Sequence, residues 1–343
     1  MSWLADRLDA LVVGGGAAGG WILHRLRHLG LHAALVDSTD ASQTANSQGI
    51  LHRGTKYLLR PTANATDDFP DLVDRWHRCL RGDPPSEDPD LRHTEVLSSG
   101  PRLRAIDELA PDLVTRLETA YRLGKVDRDE DGYRFLEPIV DPPSLLANLE
   151  KLHASRWHRD PIDVAALMAS PNAPCWLILA AGAGNQALLE SLGFDGPSMI
   201  RQPLHMVWAR GVDLPPTYCH MLDPEADPAR QSAHWTVTSH RRGGAWSWYI
   251  GGDVTETERS EAAQHDLIRR LLERAFPSLD VAGLQLSSLW IDKAEPQPVD
   301  GIRRLVPFVH AHERLLTVWP MKLALVPQLA DLVAEVIAGE GIA

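Results

Sequence analysis

The chain switches between two hydrophobic patterns, continuous apolar runs and strict apolar–polar alternation, and the switches outline its parts. Asp9 to Val13 is a short apolar run that leads into Gly14-Gly15-Gly16-Ala17-Ala18-Gly19-Gly20. A helical pattern follows from Ala17 to His28, with Ile22, Leu23, Leu26 and Leu29 as its inward stripe. Gly30 stops that helix, and His32 to Asp37 reads as a second buried strand. The result is a βαβ crossover of about 30 residues, parallel and right-handed by the general rule for such connections. Asp83 to Asp90, rich in proline and acidic residues, reads as a loop between helices at Asp67–Cys79 and Leu109–Leu123. Cys175 to Ala181 is again continuously apolar, and Gly182-Ala183-Gly184-Asn185 with a short helix through Leu192 returns the chain to the first sheet.

From Gln202 to Asp253 alternation dominates. His234–His240 and Ala245–Gly251 form a hairpin around Arg242-Gly243-Gly244, with Trp246, Trp248 and Ile250 on one face and Ser247 and Tyr249 on the other. A helix over Glu258–Ala275, a strand at Leu315–Trp319 and a terminal helix at Ala324–Ala338 complete the reading, with an additional short strand at Ile162–Val164. The predicted fold class is α/β: a discontinuous Rossmann-like dinucleotide domain over residues 1–82, 140–200 and 290–343, and an antiparallel-sheet substrate domain over 83–139 and 201–289.

Composition narrows the partners. At 343 residues the chain exceeds the size at which one core stops growing, which fits two domains and a buried ligand. No apolar run approaches the roughly 18–20 residues that span a bilayer. Met1–Asp9 holds Asp6 and Asp9 and no basic export region, so a cytoplasmic chain is expected. Cys79, Cys175 and Cys219 are widely spaced and odd in number, which suggests neither a disulfide framework nor a thiolate metal site, and no metal is expected. A formal net charge of −12 argues against a nucleic-acid partner, whose phosphates need Lys and Arg.

Gly14-x-Gly16-x-x-Gly19 has the spacing of the dinucleotide fingerprint: a tight turn, an open approach for pyrophosphate, and close helix–strand packing. The amide groups at the helix start, around Ala17 and Ala18, then meet phosphate. Asp37 stands 18 residues after Gly19, at the end of the second strand, where a carboxylate accepts hydrogen bonds from an adenosine ribose; Ser38 follows it. These features do not separate FAD from NAD.

A longer resemblance does. Asn46-Ser47-Gln48-Gly49-Ile50-Leu51-His52-Arg53-Gly54-Thr55-Lys56-Tyr57 resembles the flavin-contacting segment of L-2-hydroxyglutarate and glycerol-3-phosphate dehydrogenases, members of the D-amino-acid-oxidase-like superfamily of FAD enzymes. Leu177–Gly184 resembles that superfamily's second FAD motif, Arg201–His205 the entry to its substrate sheet, Lys293–Gly301 the approach to the final flavin loop, and Thr317–Pro327 that loop. The loop departs from the usual pattern, since Trp319-Pro320-Met321-Lys322 replaces small residues. The resemblance implies FAD contacts from Asn46, Ser47, Gly49, Ala181, Gly182, Pro320, Met321, Lys322 and Leu323.

A flavin performs the hydride chemistry, so few catalytic side chains are required. The candidates are His52 as general base, Lys56, with Arg53, as a substrate-anion site, Lys322 beside the last helix as the cation near the pyrimidine edge, and Tyr249 as a pocket roof; Lys293 is a further pocket residue. The leading expectation is hydride transfer from a CH–OH carbon of a small anionic substrate, with oxidation of a CH–NH carbon as the alternative. A flavin- or nucleotide-binding protein without turnover is the alternative from another class, and a nicotinamide-dependent dehydrogenase the weaker enzymatic one. Oxygen, a quinone and a carrier protein remain open as electron acceptors.

Overall fold

The computed structural model describes residues 7–38, 42–55, 69–105, 108–109, 111–222, 233–255, 258–298 and 305–339. Strand β1 (Ala10–Val13), helix α1 (Ala17–His28) and strand β2 (Ala33–Val36) form the expected parallel βαβ unit, with Ala10 opposite Ala33 and Val13 opposite Val36. Both strands are buried over their whole length, the condition under which a parallel strand reads as an uninterrupted apolar run. Ile22, Leu23 and Leu26 are fully buried as expected, but Leu29 is 45% exposed. It lies one residue beyond the helix, at the cap, where Gly30 at φ +80° turns the chain away from the core.

The first sheet has the order β15-β16-β9-β1-β2-β8. Strand β9 (Trp176–Leu179) lies parallel to β1, β16 (Leu315–Trp319) parallel to β9, and β15 (Phe308–His312) runs antiparallel on the edge. The outer strand beside β2 is β8 (Trp157–His158), not Ile162–Val164. Asp163 caps a helix at Val164–Met168 instead, its carboxylate accepting the Ala166 N–H at 2.9 Å, and this local cap overrides the apolar pair that suggested a strand.

A second, eight-stranded sheet has the order β14-β10-β13-β12-β11-β4-β6-β5. Its centre is β10 (Met199–Arg210), β12 (Ala233–Arg242), β13 (Ala245–Gly251) and β14 (Gln285–Pro296), all antiparallel. Strand β11 (Cys219–Leu222) joins it to β4 (Arg102–Ala105), β5 (Val126–Asp129) and β6 (Gly132–Phe135). In the β12–β13 hairpin Gly243 and Gly244 alone make the turn, at φ +61° and +85°, as a two-residue turn requires, so Arg242 belongs to the strand. The predicted alternation holds. Trp248 and Ile250 pack with Ile268 and Leu272 of the helix Glu261–Ala275, while Tyr249 lies on the opposite face with Met206 and Trp208. That opposite face meets the Asn46–Gln48 segment: Gln48 Nε2 donates to the Thr236 carbonyl at 3.1 Å, and the Tyr249 hydroxyl to the Asn46 carbonyl at 2.8 Å.

Candidate active site

The glycines of the fingerprint do three different jobs. At Gly14, with φ +118°, an added Cβ would fall 2.6 Å from the Ala180 carbonyl oxygen, so the turn after β1 presses on the end of β9. At Gly19 an added Cβ would fall 1.9 Å from the Gly14 carbonyl oxygen, which is the close helix–strand packing expected of the third glycine. Gly16 is open by contrast: the nearest atom to an added Cβ is Thr44 Oγ1 at 3.3 Å, and the residue faces a cavity of about 460 Å³. Gly16 is the N-cap of α1, the first turn of α1 carries no acidic residue, and Thr44 Oγ1 accepts the Ala17 N–H at 3.2 Å. An anion placed here meets the first turn of the helix and the positive end of its dipole.

The cavity runs from this turn past Asp37 and Ser38, along Ser42–Thr44 and Ser47, to Ala181, Gly182 and the loop Pro320–Leu323. Gly14, Gly16, Ala18, Asp37, Ser38, Ser47, Ala181, Gly182, Pro320, Met321, Lys322 and Leu323 thus line one cavity, as do Lys293 and, either side of the capping Asp163, Ile162 and Val164. Ala17, Gly19, Asn46 and Gly49 do not line it. His52 and Tyr249 also lie off the wall: Tyr249 is buried and anchored to Asn46, and His52 Nδ1 lies 3.1 Å from Glu137 Oε2. Lys56 lies outside the described residues, as does Tyr57.

The far end of the cavity is shaped by a tight turn. Met321 has φ +61°, a left-handed conformation that costs a non-glycine residue, and the Lys322 N–H donates to the Pro320 carbonyl at 2.6 Å across it. Lys322 then leads through a short 3₁₀ turn, Leu323–Leu325, into the last helix, Val326–Ala338. Asn185, fully buried, fastens the two flanking strand ends: its Oδ1 accepts the Ala181 N–H at 2.8 Å and its Nδ2 donates to the Val318 carbonyl at 3.2 Å. Trp319 Nε1 adds a bond to the Gly182 carbonyl at 3.3 Å. The sequence reading missed Asn185, Thr44 and Glu295 as site-building residues. Glu295 is 5% exposed on the cavity wall, with its Oε1 3.3 Å from Lys293 Nζ. Only the two-residue spacing on an alternating strand hinted that Lys293 and Glu295 share a face.

The donor set fits a dinucleotide: an open glycine at a helix N-terminus for pyrophosphate, a carboxylate at the end of β2 for a ribose, and a volume within the usual range of ligand pockets. No helix among the described residues is long and apolar enough to cross a membrane. No family model matches the chain. It is 35% identical, over an alignment of 366 positions spanning 97% of this chain and 92% of the other, to the probable FAD-dependent oxidoreductase PA4991 of Pseudomonas aeruginosa. The crystal structure of PA4991 matches at TM-score 0.77 and 34% identity, over 99% of this chain and 92% of that one. Glycine oxidase from Geobacillus kaustophilus matches at TM-score 0.67 and 17% identity, over 99% and 96%. Iminodiacetate oxidase from Chelativorans sp. BNC1 matches at TM-score 0.62 and 15% identity, over 96% and 95%; these two likenesses concern the fold. A third of all positions shared along nearly the whole length, on one fold and around one dinucleotide cavity, is kinship: the chain belongs to the FAD-dependent oxidoreductases, and FAD is its cofactor.

Proposed function

We propose that this enzyme oxidises a CH–NH carbon of a small substrate carrying both an ammonium and a carboxylate group. In this reading FAD lies along the cavity, its pyrophosphate at Gly14–Ala18, its ribose at Asp37, and its ring end at Ser47, Met321 and Lys322. Residues 1–82, 140–200 and 290–343 hold the cofactor, and 83–139 and 201–289 roof the substrate. The bound flavin supplies the hydride acceptor. The residues of the chain do the rest.

The observation that carries the substrate class is the Lys293–Glu295 pair, a cation and a nearly buried carboxylate side by side on the cavity wall. A zwitterionic substrate matches it charge for charge: its ammonium faces Glu295 and its carboxylate faces Lys293, each exchanging one ionic partner for another. Glu295 also receives the ammonium proton, which must leave before the neutral amine can release hydride. An alcohol requires a stronger base for its far less acidic hydroxyl, and no histidine lines the cavity among the described residues. Glycine oxidase and iminodiacetate oxidase, which share the fold, bear names of the same substrate chemistry.

Oxidation of a CH–OH carbon in a small anion is the second reading, favoured by the resemblance of the Asn46–Tyr57 segment to hydroxy-acid and glycerol-phosphate dehydrogenases. Anaerobic bleaching of the bound flavin by matched panels of amino acids, N-alkyl amino acids, hydroxy acids and sugar or glycerol phosphates separates the two. Bleaching by amino compounds, with kcat/KM lowered at least tenfold in Glu295→Gln, supports the first reading. Bleaching by hydroxy acids alone overturns it.

A further inference from the structure

A second cluster of chemically capable side chains lies away from the cavity. His52 follows the Ser47–Gly49 segment, Glu137 lies between β6 and the two-residue strand β7 (Ile139–Val140), and His220 is on β11, so the three come from distant parts of the chain. One nitrogen of each imidazole and one Glu137 oxygen all lie within 4.8 Å of one another. His52 Nδ1 is 3.1 Å, and His220 Nε2 4.0 Å, from the same oxygen, Oε2. Tetrahedral zinc with bonds of about 2.0–2.1 Å sets its ligand atoms roughly 3.3–3.4 Å apart, so these separations bracket those of a filled site.

The surroundings orient the donors. Glu137 Oε1 is held by two backbone amides, Arg53 N–H at 2.9 Å and Thr55 N–H at 3.2 Å, which leaves Oε2 to the imidazoles. Thr236 Oγ1 lies 2.7 Å from His220 Nδ1, so the ring turns Nε2 towards Glu137. Outer hydrogen bonds of this kind fix the tautomer and direction of metal-binding histidines and carboxylates. The Glu137 and His220 side chains are fully buried and that of His52 is 15% exposed. Among the described residues no Lys or Arg side chain pairs with Glu137, since the Arg53 guanidinium goes to Asp74. A carboxylate with no solvent needs a positive partner, supplied either by protonated imidazole or by a metal ion.

We propose that His52, Glu137 and His220 bind a divalent ion of the zinc class, which clamps the segment after the cofactor contacts to the substrate sheet. Two neutral imidazoles and one carboxylate are a donor set that zinc takes with its fourth position left to water or another ligand, and two of the three ligands are buried. The ion bridges the same seam that Gln48 and Tyr249 cross, with Thr236 bonded to both Gln48 and His220. The inference is independent of the substrate class argued above, because neither the Lys293–Glu295 pair nor the bleaching panel touches these residues.

The test uses untagged holoenzyme, since a histidine tag binds zinc. Elemental analysis after gel filtration is expected to find about one zinc per chain. Dipicolinate should strip it and lower the melting temperature, and added zinc chloride should restore both. Thr236→Val, which leaves the three ligands in place, should fold and bind zinc roughly 10–100-fold more weakly. Glu137→Gln and His52→Asn should each lose the ion. Two results overturn the proposal: wild-type protein with no stoichiometric metal whose melting temperature is indifferent to both dipicolinate and zinc, or metal content unchanged in both ligand variants. The first would assign the cluster to a shared proton.

Discussion

Gly16 and Gly14 offer a paired perturbation whose outcomes should diverge. Gly16 has φ −73° and ψ 178°, which any residue adopts, and an added Cβ meets only Thr44 Oγ1, at 3.3 Å. Gly16→Val therefore costs the fold little. Valine is a poorer N-cap than glycine by about 1 kcal/mol, and stiffening the unfolded chain returns part of that. For a chain of this length a net loss near 1 kcal/mol moves the melting temperature by only about 2 °C. The isopropyl group projects into the cavity where pyrophosphate approaches the helix amides, so the variant should be folded and colourless. Gly14→Ala is the reverse case. Its φ of +118° is closed to alanine, and the methyl carbon would lie 2.6, 2.7 and 2.8 Å from Ala180 O, Ala180 C and Ala181 Cα. Both neighbours are backbone, so the β1–β9 contact must open, at a cost of roughly 3 kcal/mol or more. Flavin absorbance per chain and circular-dichroism melting of the two variants, set against wild-type apoprotein, read the two effects separately. Stoichiometric FAD in Gly16→Val, or an unchanged melting temperature in Gly14→Ala, would refute this division of labour.

Three further outcomes follow from the geometry. Lys322→Met should make the flavin's reduction potential more negative, by about 30 mV for each 1.4 kcal/mol of stabilisation lost from the reduced form, with FAD still bound; an unchanged potential in dye-equilibration titration would place Lys322 away from the ring. Tyr249→Phe should lower stability by about 1 kcal/mol, through the lost bond to Asn46, and leave kcat within a few-fold, whereas a hundredfold drop in kcat would make Tyr249 catalytic. Burial lowers His24 to a pKa of about 4 and His153 to about 3, with Arg27 adding at both, His28 at His24 and His24 at His153, and Asp88 opposing it at His24. The unfolded chain takes up these protons below about 6.5 and the folded chain does not, so stability falls with acid from pH 6.5 towards 4, by on the order of 2 kcal/mol per ring at pH 5. The fall in melting temperature between pH 7.5 and 5 should accordingly shrink in a His24→Leu/His153→Leu variant, and an equal fall would exclude these rings as the cause.

Much of the cofactor half was legible from residue order, because its determinants are local. A continuous apolar run, three glycines at fixed spacing, a helix of one turn-period and a second run ending in Asp37 constrain each other within about 30 residues, and β1, α1 and β2 appear where the pattern puts them. The hairpin was equally legible, since Gly243-Gly244 supplies the two positive φ angles and strict alternation sorts Trp248 from Tyr249. Local signals misled where a cap competed with a short run, at Asp163, and where a helix stopped one residue before its apolar stripe, at Leu29. What no local pattern contains is which side chains meet across long separations. Asn185 bonding to Val318, Gln48 to Thr236, and His52 facing Glu137 and His220 depend on which distant strands pair and on how the two sheets meet. His52, a candidate base from its segment alone, has its Nδ1 3.1 Å from Glu137, and Glu295, which no local pattern singles out, lies next to Lys293 on the cavity wall. Side-chain burial and charge pairing arise only when distant segments close on one another, and the chemistry of a site is made of those two things.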